Sequence, residues 1–335
     1  MGQNSLQPSR QLQPGEATYT LNVRVRSGKV VPCKVIAAEA FGTQPTENIR
    51  HFLTYQLTDP YLVMLGTQKV WVQQSGAPVD KSPTPAFSSS TTLWHGFTML
   101  HNGAPVVIVN NRGIDVPHYW DGGAGVFIVV PNAPNARAYT GYLGRLFGGN
   151  VDVTGTWYPN RFKWSVDGDI TDWTGAGSGW YDLKDEGDPI QTFALLRGNI
   201  NFVLRRNSIY VLTPTADPDD PVGDQPFARR GIVAPNSLQV LEQEFLFLGD
   251  DDIYLCSTSG LSRVGSRVRL DLFGGALESD LANSWSFLDK RTKEYYLVTK
   301  MDDATYRGWI YNYEDNTWAT QVLTGYTALG AWRKD

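Results

Sequence analysis

The chain has 335 residues, 41% apolar and only 19% charged, with 33 glycines, 19 prolines and a formal net charge of −5. A chain of this length buries roughly three quarters of its unfolded surface, so stability requires neither disulfides nor a structural metal. The acidic balance excludes broad adhesion to nucleic acid, which needs clustered Lys and Arg. Sparse charge with frequent Gly and Pro is the profile of an all-β protein with many corners.

In chain order, residues 1–16 are rich in Gln, Pro and Ser. They carry too little apolar surface to order themselves and are expected to form a flexible arm. Residues 17–335 are expected to be one domain. Ala17–Arg26 alternates apolar with polar residues, and Ser27–Gly28 then leads into KVVPCKVIAA, which reads as a hairpin. No basic-plus-apolar leader is recognised, and no stretch approaches the ~18 apolar residues of a membrane span, so membrane insertion is not expected.

A repeated unit follows, in which two short strands flank a Gly/Asn/Asp-rich corner. Its copies are Ile49–Gln74, Leu93–Trp120, Ile190–Leu212 and Ser237–Cys256. Taking Trp71, Val116, Tyr210 and Tyr254 as markers of the last strand, the spacings are 45, 94 and 44 residues, so a further copy belongs near residue 163, where Asn160–Ser165 (NRFKWS) lies. A sixth strand pair is expected at Tyr295–Thr299 and Gly308–Tyr313. A period of ~40–50 residues predicts a single closed β-propeller of about six blades.

Between the copies, 76–90, 175–188 and 213–227 read as exposed loops joining blades. Leu270–Trp285 is the one helical candidate, with Leu272, Ala276 and Leu281 on a shared face.

The motifs of site chemistry are weak. Asp217, Asp219, Asp220 and Asp224 could hold Ca²⁺, but their spacing matches no known loop, and a solvated connection is the simpler reading. Asp250, Asp251 and Asp252 fit a hairpin corner. Asp167, Asp169 and Asp172 are where a glycosidase pair would sit, although such corners recur wherever strands turn tightly. His51, His95, His101 and His118 lack the frame of a nucleophile or a metal motif. Cys33 and Cys256 show no zinc spacing and read as buried reduced thiols. No catalytic residue, cofactor or metal site is therefore expected. The basic residues Arg263, Arg267 and Arg269 read as charge partners rather than a phosphate track.

Trp157, Trp164, Trp173 and Trp180 place four tryptophans within 24 residues. They are read as core plus interface, with Trp157, Trp173, Trp180 and Phe227 as interface candidates. A sugar-stacking surface is the alternative.

Three segments resemble the β-propeller nozzle, or tail-hub, proteins of short-tailed double-stranded DNA bacteriophages. They are Leu21–Gly28 (LNVRVRSG), Asn160–Trp173 (NRFKWSVDGDITDW) and Arg230–Tyr254 (RGIVAPNSLQVLEQEFLFLGDDDIY). The large inserted domains of longer members are lacking. The resemblance implies a non-enzymatic virion structural protein, made in the bacterial host cytoplasm and placed in the tail. Several copies, most simply six, would form a ring that continues the portal channel, retains packaged DNA and opens for ejection. The implied partners are further copies of the chain, portal or adaptor proteins, tail fibres or a spike, and DNA passing without sequence-specific binding. A carbohydrate-binding propeller for receptor recognition is the alternative function.

Overall fold

The computed structural model describes residues 2–3, 16–17, 23–26, 29–32, 45–57, 59–88, 94–184, 187–197, 199–217 and 219–323. Among these residues the protein is all-β, with six four-stranded antiparallel sheets that are the blades of a β-propeller, and two short helices. The chain forms two compact units, one built on Ala40–Gly231 and the other on Met1–Glu39 and Ile232–Arg333.

Ahead of the blades, β1 (Gly2–Gln3) pairs in parallel with β2 (Glu16–Ala17), and β3 (Val23–Arg26) forms a hairpin with β4 (Lys29–Pro32). Of the arm expected over 1–16, only Gly2–Gln3 and Glu16 are described, and they are strand; its remainder, like Cys33, lies outside the described residues.

The first unit holds four blades. Blade 1 comprises β5 (His51–Gln56), β6 (Pro60–Leu65), β7 (Val70–Gln73) and β8 (Val79–Asp80). Blade 2 comprises β9 (His95–His101), β10 (Ala104–Asn110), β11 (His118–Trp120) and β12 (Ile128–Val129). Blade 3 comprises β13 (Asn135–Tyr142), β14 (Arg145–Val153), β15 (Thr156–Trp164) and β16 (Gly179–Asp182). Blade 4 comprises β17 (Ile190–Leu196), β18 (Ile200–Arg205), β19 (Ile209–Pro214) and β20 (Val222–Ala228).

The second unit holds two. Blade 5 is β21 (Gln239–Val240), β22 (Glu244–Leu248), β23 (Ile253–Ser257) and β24 (Gly260–Arg263). After α1 (Arg269–Gly274) and α2 (Glu278–Ala282), blade 6 is β25 (Trp285–Asp289), β26 (Glu294–Lys300), β27 (Tyr306–Asn312) and β28 (Thr317–Leu323).

The packing follows from side-chain alternation in strands. In β10, Val107 and Val109 join Val63, Leu65 and Trp94 in the core shared with blade 1. The intervening Val106 and Ile108 join Ala136, Leu146 and Val151 in the core shared with blade 3. A middle strand is thus buried on both faces and reads as a continuous apolar run, whereas first strands such as β9 are only partly covered. Side chains also bridge blades: the Tyr55 hydroxyl donates to Pro105 O (2.6 Å), Trp94 Nε1 to Gly66 O (2.6 Å), Asn110 Nδ2 to Ala136 O (3.1 Å) and Asn150 Nδ2 to Ile190 O (3.2 Å). In the second unit the Tyr295 hydroxyl donates to Ser237 O (2.8 Å) and Trp318 Nε1 to Val264 O (2.7 Å).

The copy expected near residue 163 is β15, and the sixth strand pair is β26 and β27. Three expectations are corrected. Val116 precedes its strand, because Asn111 and Asp115 lock a turn by exchanging hydrogen bonds (2.7 and 2.8 Å), which delays β11 to His118. The segments read as long loops each carry the fourth strand of a blade, namely β8, β16 and β20. The helical candidate is two short helices broken at Gly275, where a Cβ would meet the Met301 methyl at 2.7 Å. No helix among the described residues is long and apolar enough to cross a membrane.

Candidate interaction surface

Blade 3 orders its aromatic residues through cross-strand pairing. Arg161 lies opposite Asp182 and Lys163 opposite Trp180 in the β15–β16 ladder. The Arg161 guanidinium donates to both Asp182 oxygens (2.7 Å each) and lies 3.9 Å from the centroids of both Tyr158 and Trp180. This paired, stacked geometry holds the indole in one orientation while leaving it 56% exposed. Hydrogen bonding to Asp182 raises the Arg161 pKa further, so the guanidinium stays charged. Trp157, 37% exposed, stacks against Arg137 (5.1 Å) and lies over the backbone of Gly113, where a Cβ would come within 2.7 Å of the ring.

The other two aromatic candidates are placed differently. Trp173 is buried in the core between blades 2 and 3, its Nε1 donating to Ile170 O (2.8 Å). The Asp169 and Asp172 carboxylates cap the turn that folds it inward, so Trp173 is core and not interface. Phe227 is half-buried and packs edge-on against Phe202 at 5.2 Å, which makes it chiefly part of blade 4.

A second patch was not legible in the sequence. Val79 on β8, with Val126, Ile128 and Val129 on and beside β12, are exposed aliphatic residues on the fourth strands of blades 1 and 2. Beside them lies a cleft of about 490 Å³ whose lining includes Pro83, Pro85, Phe87, Val126 and Ile128. A second cleft of about 320 Å³ includes Tyr61, Val79, Lys81 and Trp120. The only sequence signal is a two-residue apolar step inside a Gly/Pro-rich connection, which is too short to register as a strand.

The remaining candidates are engaged locally. Asp169 binds the backbone and hydroxyl of Thr171 (2.9 and 2.7 Å), and hydrogen bonds of this kind hold Asp169 and Asp172 below the usual carboxylate range. Asp251 pairs with Arg263 (2.7 Å), and Asp252 accepts from Ile253 N (2.8 Å) and Ser266 (3.2 Å). Asp217 caps Asp219 N (2.9 Å), while Asp224 bonds the Tyr181 hydroxyl and pushes its pKa up to about 12. No group of three His, Cys, Asp or Glu set to hold a metal occurs among the described residues. Burial pushes the Cys256 thiol up to about 12, which leaves it protonated and unreactive.

His118 contacts Val116 O (2.9 Å) and Phe87. His101 faces Asp169 (3.7 Å) and Tyr119. His51 and His95 open the first strands of blades 1 and 2, and burial lowers their pKa to about 4 and about 3.

No family model matches the chain, and no curated protein matches its sequence. Among solved structures the chain is similar to a streptogramin B lyase, at 15% identity and a TM-score of 0.52 over 81% of this chain and 82% of that one. It is also similar to virginiamycin B lyase from Staphylococcus aureus, at 13% identity and a TM-score of 0.54 over 87% and 89%. At these identities the likeness is one of fold, and the lyase activity belongs to those proteins.

Proposed function

We propose that the chain is a structural subunit of a bacteriophage virion, a tail nozzle or hub protein whose ring continues the portal channel, retains packaged DNA and lets it pass on ejection. The observation that carries this reading is the presence of two chemically unlike patches on the outer strands of blades in one unit. One is aliphatic, on β8 and β12; the other is the Trp180–Arg161–Tyr158 stack on blade 3. A ring closed by rotation requires each subunit to present two different faces, one to each neighbour. Exposed apolar strand edges are a hazard in a monomer and an asset in an assembly.

The resemblance to tail nozzle proteins supports the same reading. Its three segments coincide with structural elements: Leu21–Gly28 contains β3, Asn160–Trp173 spans the end of β15 and the turn behind it, and Arg230–Tyr254 leads through β22 into β23. The carboxylates considered for glycoside hydrolysis are bound to turns, which favours a non-enzymatic role. The carbohydrate-binding alternative rests on Trp180, whose ring is already stacked on Arg161 on one face. A glycan array on the isolated protein tests it, and strong saturable sugar binding without assembly would favour it.

The decisive experiment for the ring is a cryo-EM map of the particle. The expected result is a closed ring of this chain on the tail axis below the portal, with the β8/β12 patch of one copy and the Trp180 stack of its neighbour buried. Single copies on peripheral spikes, or absence from the particle, would overturn the reading.

A further inference from the structure

We propose that one end of the first strands of blades 1 to 3 forms a binding site for an oxyanion of the phosphate class, built from Arg50, His51, His95, Arg112 and Arg137. His51 and His95 are the first residues of β5 and β9, and Arg50 immediately precedes β5. Asn110 lies opposite His95 in the β9–β10 ladder, and its side chain accepts from Arg112 N (3.0 Å) just beyond the strand. Arg112 adopts the left-handed region (φ 58°), and its Nη2 donates to Gln191 O on β17 (3.2 Å). A Cβ built on the adjoining Gly113 would lie 3.4 Å from the Arg137 side chain, so the Arg137 stem passes beside the Arg112 turn while its exposed guanidinium stacks on Trp157 (5.1 Å).

Charge hemmed in by protein normally has a counter-charge nearby; Arg50, His51, His95 and Arg112 are partly buried, and Arg137 stands exposed at their rim. Here the neighbours are of one sign: His51 and Arg112 act on His95, and Arg137 acts on Arg112. The acids in the adjoining sequence are spent elsewhere. Glu47 accepts from Thr67 N, Thr67 Oγ1 and Gln68 N (2.7–2.8 Å), and Asp115 accepts from Asn111, Ser88 N and Ser88 Oγ (2.7–2.9 Å). Two buried nitrogen atoms in the group, Arg50 Nε and His95 Nδ1, have no hydrogen-bond partner.

Arginine fixes the chemistry of the ligand. Its planar fork fits the oxygens of phosphate, and a neutral imidazole N–H adds a donor without adding charge. At neutral pH the three guanidinium groups carry the charge and both histidines are uncharged, a set matched to a tetrahedral dianion or to a phosphodiester.

The test is calorimetric titration of the full chain with inorganic phosphate at constant ionic strength, and separately with a short double-stranded oligonucleotide. Saturable phosphate binding is expected, weakened about tenfold or more by Arg112→Gln and by Arg137→Gln and unchanged by Lys69→Gln, whose partner is Asp80 outside the cluster. Oligonucleotide binding that depends on the same two arginines, without heat from free phosphate, would assign the phosphate to nucleic acid. Circular-dichroism melts establish that the variants fold. In the wild type, phosphate should raise the melting temperature beyond chloride at equal ionic strength. Absence of saturable binding in both titrations, equal binding by the arginine variants, or equal stabilisation by chloride would overturn the site.

Discussion

His51 and His95 retain some solvent access but are hemmed in by protein, and their protonation is opposed by burial, while His101 keeps a carboxylate neighbour in Asp169. In the unfolded chain a histidine takes up its proton near pH 6.5, whereas the folded protein keeps these two neutral down to about 4 and about 3. Between those values the unfolded state binds more protons, so stability falls as the pH drops below 6.5. Asp80, Asp169 and Asp172 add the usual carboxylate effect lower down: their folded pKa values are depressed, and the stability they contribute is lost as the pH falls below the ordinary carboxylate range. Melting temperature measured in chloride buffers is therefore expected to decline from pH 7 to 4.5, and His51→Gln/His95→Gln to flatten the upper part of that decline. An unchanged slope in the double variant would count against this assignment. None of it is legible locally, because the four histidines look alike until the strands bring Arg112 beside His95 and Asp169 beside His101.

At the scale of elements, the middle strands were readable and the fourth strands were not. A middle strand packs on both faces and so carries an unbroken apolar run, as in β6, β10 and β22. A fourth strand has one neighbour in its sheet and open solvent beyond, so β8 and β16 tolerate Gly, Asp and Pro nearby and read as loop. The Gly148–Gly149–Asn150 segment of β14 is one place where backbone detail decides packing. A register shift falls there, Asn150 takes φ 56°, and its side chain turns to Ile190 O of the next blade. A Cβ on Gly149 would come within 2.7 Å of the Phe193 ring and 2.9 Å of the Ile190 side chain. Gly149→Leu is expected to overpack the contact of blades 3 and 4 and to cost about 1–3 kcal/mol or more, read by urea denaturation. A variant within ~0.5 kcal/mol of wild type would show that the blades separate more easily than the contact distances imply.

At the scale of the whole molecule, the early hairpin read from the sequence is β3–β4, and it packs beside the last blade. All four strands of blade 6 come from Trp285–Leu323, and β3–β4 is a two-stranded sheet of its own, with β3 lying alongside β28. Covering that edge is still valuable, since a bare strand invites pairing with another chain. Deleting residues 1–32 is expected to lower the melting temperature and the soluble yield; a truncated protein that melts unchanged would remove the hairpin from the stabilising structure. What the sequence alone determined is the all-β class, the repeat of about 45 residues and hence the number of blades, because each blade needs its own pair of apolar middle strands. Tertiary structure alone decided which tryptophans are core and which are surface: Trp173 and Trp180 sit seven residues apart in similar company, but one is folded under a capped turn and the other stands on the outermost strand. It also decided the setting of the proposed cationic site, whose residues are scattered between 50 and 137 and lie at the starts of first strands and in the turn beyond β10.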